Sequence, residues 1–108
     1  MKLQDSVIAI TGGGQGLGRA MAEYLAAKGA RLALIDLMPE KLEEAAAACK
    51  KAGGDARTYI CNVAKEDDVE QTFEAIVADF GQLNGLINNA GILRDGLMVK
   101  VKDGQVEK

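Results

Sequence analysis

The heptapeptide Gly12-Gly13-Gly14-Gln15-Gly16-Leu17-Gly18 sets the strongest limit on how this chain can fold. It follows directly on Ser6-Val7-Ile8-Ala9-Ile10-Thr11, an apolar, β-branched run that reads as a buried strand, and it leads into a stretch of helical spacing that ends at Gly29. Glycines at such a junction let the backbone turn sharply and come close to a bound pyrophosphate. The helix that starts there aims free N–H groups, and about half a positive charge, at that anion. Glycines that merely end a strand and begin a helix would have the same local pattern. The rest of the chain separates the two.

Beyond Gly29 the pattern alternates between short strands and longer helices. Arg31 to Asp36 reads as a second strand. Pro39 opens a helix whose Ala-rich stretch, Lys41 to Ala52, stops at Gly53-Gly54. Ala56 to Cys61 is a third strand, and Val69, Phe73, Ile76, Val77 and Phe80 form the apolar stripe of a third helix. Asp67 and Asp68 lie near its favourable N-terminal end, Gly81 closes it, and Leu83 to Asn88 is a fourth strand. Strands alternating with helices in this way predict an α/β fold with a doubly wound parallel sheet. No linker, repeat or low-complexity segment divides the chain, so residues 1–108 read as one structural unit. In the tail, Met98-Val99-Lys100-Val101-Lys102 alternates, Asp103-Gly104 is a tight-turn dipeptide, and Gln105 to Lys108 returns. An exposed hairpin over residues 97–108 is expected.

A formal net charge of -3 leaves no basic stripe for displacing counterions from phosphates, so nucleic acid is not an expected partner. No apolar stretch approaches the roughly 20 residues needed to span a bilayer. A cytoplasmic protein without membrane contact is expected. Cys49 and Cys61 fall on different elements, and the chain has no His to complete a metal ligand set. Both read as reduced, semi-buried thiols that pack as small hydrophobes.

Asp36, at the end of the second strand, stands where a carboxylate can accept hydrogen bonds from an adenosine ribose. An ordinary acid before the Pro39 helix is the competing reading. If Asp36 meets the ribose, it also selects the cofactor. A 2′-phosphate a few ångströms from this carboxylate is repelled by on the order of several kcal/mol, and neither Gln15 nor Leu37 supplies a compensating cation. NAD is therefore expected over NADP.

Thr11-Gly12 with Gly16 and Gly18 resembles the TGxxxGxG loop of the short-chain dehydrogenases/reductases, and Asn88-Asn89-Ala90-Gly91 resembles their NNAG signature. The resemblance runs from about Lys2 to Val101. It implies that the chain is the N-terminal half of a Rossmann dinucleotide-binding domain, with about four strands and three helices. Arg94-Asp95 is similar to the bacterial 3-oxoacyl-acyl-carrier-protein reductase branch. Carried over residue by residue, the resemblance gives Gly12, Gln15, Gly16 and Leu17 contact with the cofactor phosphates and ribose, with Gly18 completing the loop, and gives Asp36 the adenosine ribose. Asn62 and Val63 would flank the adenine. The family usually has Asp where Asn62 stands, but an amide carbonyl can still meet the adenine amino group. Asn89, Ala90 and Gly91 would floor the adenosine and the nicotinamide-side ribose. Asn88 and Asn89 would also tie neighbouring strands together.

Tyr24-Leu25-Ala26-Ala27-Lys28 satisfies the YxxxK pattern of the family's catalytic pair, yet it lies on the first helix, out of reach of the nicotinamide. Tyr24 is expected to pack, sharing a face with Leu17, Met21, Leu25 and Lys28. The family's catalytic Ser, Tyr and Lys, and its supporting Asn, lie downstream of NNAG. The sequence is accordingly expected to be the cofactor-binding portion of an NAD(H)-dependent oxidoreductase, a fragment without catalytic residues of its own. The complete enzyme would act on a small carbonyl or secondary alcohol. The alternatives are a non-catalytic nucleotide-binding half domain that pairs with another chain through the free edge of the fourth strand, and a separate polypeptide that restores catalysis. A homo-oligomer or a missing C-terminal half is the implied protein partner.

Overall fold

Every residue of the first strand, β1 (Val7–Thr11), is buried, as a parallel strand covered by helices on both faces must be. The computed structural model describes residues 3–89 and the strand backbone at 100–102 and 105–107. After β1 come α1 (Gly16–Ala27), β2 (Arg31–Asp36), α2 (Pro39–Lys51), β3 (Asp55–Ile60), α3 (Glu66–Phe80) and β4 (Gly85–Asn88). The strands form one parallel sheet in the order β3-β2-β1-β4. This is a Rossmann-type α/β arrangement of four strands and three helices.

The two-residue period of the strands sorts their side chains between two cores. Ile8, Ile10, Leu32 and Leu34 point to the side of α1 and α2, where they pack with Ala22, Ala26, Leu42, Ala45 and Cys49. Val7, Ala9, Ala33 and Ile35 point the other way and meet Val69, Phe73, Ile76 and Phe80 of α3. The helix ends follow charge and backbone chemistry. Pro39 and Glu40 open α2 and Lys50 and Lys51 close it, while Glu66, Asp67 and Asp68 occupy the first turn of α3.

Several strand boundaries differ from the sequence expectation, each for a local reason. Ser6 precedes β1 and is not part of it. β3 runs one residue earlier than expected, from Asp55, and Cys61 leaves the ladder, its N–H donating to the Asp36 carbonyl at 3.0 Å. β4 begins at Gly85, because Asn84 continues the pairing with its side chain. The Val7 N–H donates to Asn84 Oδ1 at 2.8 Å and the Asn84 N–H donates to the Val7 carbonyl at 2.8 Å.

The expected packing of Tyr24 is also corrected. Gly18, Ala22 and Ala26 form the buried face of α1, whereas Tyr24 is 63% exposed and Leu17 is 67% exposed. Close approach explains the difference. A Cβ on Gly54 would lie 2.7 Å from Ala26 Cα, so this side of α1 admits only small residues, and the larger apolar ones are turned aside.

Both outer strands are less covered than the inner pair, with Leu86 and Ile87 of β4 half-buried. In the tail, β5 (Lys100–Lys102) pairs antiparallel with β6 (Gln105–Glu107), Val101 lying opposite Val106. The expected turn at Asp103-Gly104 lies outside the described residues, as do residues 97–99 and 108. Among the described residues no helix is long and apolar enough to cross a membrane.

Candidate functional site

The carboxyl ends of β1 and β2 open onto a cleft of about 390 Å³, at the edge of which the glycine loop starts α1. The loop is laid across the end of β2, since the N–H groups of Gly12 and Gly13 donate to the Ile35 carbonyl at 2.7 and 3.2 Å. Gly12 and Gly16 take positive φ, 68° and 58°, which a residue with a side chain reaches only at a cost of about 1–2 kcal/mol. Gly18 answers a different need, because a side chain there would overlap the Gly12 carbonyl oxygen. Gln15 caps α1 without a side-chain hydrogen bond, and no acid occupies the first turn. The Gln15 side chain instead donates to Met38 Sδ at 3.6 Å. A helix N-terminus left in this state is suited to an anion supplied from outside.

Asp36 faces that loop from the end of β2. Its Oδ2 accepts the Gly14 N–H at 3.1 Å, and its Oδ1 accepts the Leu37 N–H at 2.7 Å. Two backbone amides thus fix the carboxylate without a cationic side chain. Since an ionised carboxylate offers about four acceptor positions, it keeps capacity for a ligand's hydroxyls. Lys41 stands nearby on α2, with its ammonium 4.0 Å from Glu44 Oε2.

Thr11 joins the loop to β4. Its Oγ1 donates to Asn88 Oδ1 at 2.8 Å and accepts the Asn89 N–H at 2.9 Å, while Asn89 Nδ2 donates to the Gly12 carbonyl at 3.4 Å. The two asparagines therefore tie β4 to β1, and Asn89 in addition reaches the cleft wall. Of the expected site residues, the cleft brings together Gly12, Gln15, Gly16, Leu17, Asp36, Val63 and Asn89. Gly18 lies behind it, packed against Gly12. Asn62 does not line it. Its Oδ1 accepts the Ala64 N–H at 3.0 Å and its own N–H donates to Asp68 Oδ2 at 3.4 Å, closing a turn into α3. Ala90, Gly91, Arg94 and Asp95 lie outside the described residues.

Ile35, Leu37 and Cys61 also line the cleft, although sequence reasoning named Leu37 only for its lack of charge and Cys61 only as a packing thiol. Leu37 is 57% exposed beside Asp36, and with the exposed Leu17 it gives the mouth an apolar rim suited to a flat ring. Adjacency to Asp36 was the available signal. Cys61 is nearly buried, and burial raises its thiol pKa against the opposing hydrogen bond with Thr72. Cys49, fully buried on the inner face of α2, is pushed up to about 11, first by burial and then by Glu23. Both are neutral packing groups.

Neither tyrosine serves the cleft. Tyr24 lines a separate apolar groove with Met21, Leu25 and Ile87, and the Lys28 ammonium sits 5.5 Å from its ring centre. Tyr59 donates to Asp79 Oδ2 at 2.8 Å, and burial together with that acceptor raises its phenol above the ordinary range. Among the described residues no group of three or more His, Cys, Asp or Glu is placed to hold a metal ion.

A parallel sheet whose first crossover opens on an uncapped glycine loop, with an acid on the next strand turned toward it, defines a Rossmann unit of the nucleotide-binding type. The short chain dehydrogenase family matches residues 6–108, and the chain belongs to that family. It is 49% identical over 98 residues to the 3-oxoacyl-[acyl-carrier-protein] reductase of Homo sapiens, covering 91% of this chain and 40% of that one. Levodione reductase of Leifsonia aquatica is 45% identical over 93 residues, 84% of this chain and 35% of that protein. Among solved structures, NAD+-bound xylitol dehydrogenase superposes with a TM-score of 0.81 at 40% identity, over 85% of this chain and 35% of that one. The chain spans about 40% of the length of the curated relatives it matches.

Proposed function

We propose that this chain is the NAD(H)-holding part of an oxidoreductase that moves a hydride between the nicotinamide and a carbonyl or secondary alcohol. A 3-oxoacyl group on acyl carrier protein is the favoured substrate, on the strength of the human relative at 49% identity. The observation that carries the cofactor reading is Asp36, fixed by two amides at the mouth of a cleft whose phosphate end is an uncapped helix. The first turn of α1, with Gly12, Gln15, Gly16 and Leu17, takes the pyrophosphate, and Gly18 lets that turn approach. Asp36 takes the adenosine ribose diol. Val63 walls the adenine, with Asn62 shaping the turn that presents it, and Asn89 lies under the inner ribose, a role that the family resemblance extends to Ala90 and Gly91. NAD(H) supplies the hydride chemistry; these residues bind and orient it. Among the described residues neither tyrosine is placed to pass the proton, since Tyr24 and Lys28 sit in another groove and Tyr59 is held by Asp79. The protein works in the cytoplasm, without a nucleic-acid partner.

Calorimetric titration of the chain with NADH and NADPH tests the reading. A 2′-phosphate beside the partly exposed Asp36 carboxylate costs about 2 kcal/mol after solvent screening, so NADH should bind about thirtyfold tighter. Asp36→Ala should erase most of that preference without unfolding the domain. Tighter binding of NADPH by the unaltered chain would show that Asp36 does not have this role.

A second reading is favoured by β4, which ends the sheet with Leu86 and Ile87 only half-buried beside the Met21, Tyr24 and Leu25 groove. In it the chain is a nucleotide-binding half that pairs through this edge with further polypeptide. Carbonyl reduction with NADH by the purified chain alone would contradict both readings.

A further inference from the structure

Gly14 lies buried between the Asp36 carboxylate and the stem of Lys41. A Cβ at this position would sit 2.9 Å from Asp36 Oδ2 and 3.1 Å from Lys41 Cβ. Gly12 and Gly16 take positive φ, but Gly14 does not, so its backbone conformation is open to any residue. Space, not conformation, requires glycine here. The same residue donates its N–H to Asp36 Oδ2, one of the two bonds that aim the carboxylate.

We infer that Gly14 is a positioning residue for cofactor choice: by carrying no side chain it lets its amide clasp Asp36, and so sets the preference for a free ribose diol over a 2′-phosphate. The inference rests on the reading of Asp36 given above. A methyl group at position 14 acts in two ways that reinforce each other. It drives Asp36 off the line of its bond with the loop, weakening both the grip on the diol and the repulsion of phosphate. It also presses on the stem of Lys41, whose ammonium now stands 4.0 Å from Glu44 Oε2, and so shifts a cation on the α2 side of the carboxylate.

The test is a set of NADH and NADPH titrations by calorimetry on the full chain and on Gly14→Ala, Asp36→Ala and the double variant, with thermal melts alongside. Gly14→Ala should lower the NADH-over-NADPH ratio about tenfold, equivalent to about 1.4 kcal/mol, while the protein stays folded. In the Asp36→Ala background the same change should leave the ratio where it was, because no carboxylate remains to be positioned. A Gly14→Ala protein with the unaltered ratio overturns the inference. If Asp36→Ala itself keeps that ratio, the Asp36 reading is what fails. Should Gly14→Ala not fold, amide hydrogen exchange decides: protection of the Gly14 N–H should fall in Asp36→Ala, and protection that survives loss of the carboxylate overturns the clasp.

Discussion

Replacing Gly18 by Ala should be the most damaging single-methyl change in the glycine loop. The added carbon would overlap the Gly12 carbonyl oxygen and lie 2.7 Å from Asn89 Nδ2 and 2.9 Å from the Gly12 carbonyl carbon. Ordinary carbon contacts fall at about 3.5–4.0 Å, so α1 must retreat from β1 by roughly 1 Å. Two of the three obstructing atoms are backbone, which leaves little room to give. Overpacking of this kind costs about 1–3 kcal/mol, and loss of the bond from Asn89 Nδ2 to the Gly12 carbonyl adds about 1 kcal/mol. The sum, about 2–4 kcal/mol, is a large part of the 5–15 kcal/mol on the order of which small domains are stable. For a chain of this size it corresponds to a fall in Tm of roughly 10–30 °C, read by circular dichroism. Gly16→Ala is the internal comparison, since Gly16 has nothing within 4 Å of the added carbon and suffers only its φ of 58°. Its cost should stay near 1–2 kcal/mol, on the order of the left-handed penalty. If Gly18→Ala melts no lower than Gly16→Ala, close approach of α1 to the loop is not what holds this junction.

Thr11→Val keeps the shape of β1 but removes the acceptor of the Asn89 N–H and the donor to Asn88 Oδ1, so it should cost about 1–3 kcal/mol in urea unfolding and weaken NADH binding. A neutral result in both assays would mean that the tie between β1 and β4 is idle. Stability should also fall in alkali. The Cys49 thiol rises from 9.0 to about 11, so the folded state holds a proton that the unfolded chain releases first. That stability is complete below pH 9 and is lost as the pH climbs toward 11, by about 2–3 kcal/mol from this group. Cys61 and Tyr59 are raised as well and act in the same direction. Urea midpoints between about pH 8 and pH 10.5 should decline, and Cys49→Ala should flatten the slope; a level profile in the unaltered protein would refute the burial argument.

The alternation of strands and helices was legible because a buried parallel strand and an amphipathic helix have different periods, and Val7 to Thr11 and Val69 to Phe80 show each of them clearly. The glycine loop and Asp36 were legible for a related reason: the junction of a strand with a helix leaves a mark in residue type. The boundary of β4 was not, because the side chain of Asn84 imitates a backbone acceptor and no periodicity shows that. The burial of α1 was misread because Leu17 and Tyr24 are large and apolar, whereas the loop at Gly12 and the turn at Gly54 lie too close to that helix for anything bigger than Ala. Asn62 was expected in the cleft and lies outside its lining, since a local turn with Ala64 claims its side chain. Ile35 and Leu37 were within reach as the neighbours of Asp36, whereas Cys61 enters the cleft only through the pairing of β3 with β2, a relation absent from any single stretch of sequence.

The hydroxyl of Thr11 makes the glycine loop and the outermost strand answer to each other. Because one oxygen serves both Asn88 and Asn89, a ligand that steadies the loop also steadies β4, and polypeptide that zips onto β4 steadies the loop in return. Linkage requires the two effects to be equal, so the factor by which an added strand tightens dinucleotide binding is the factor by which the dinucleotide tightens strand addition. The sheet's open side is in that sense a second handle on the nucleotide.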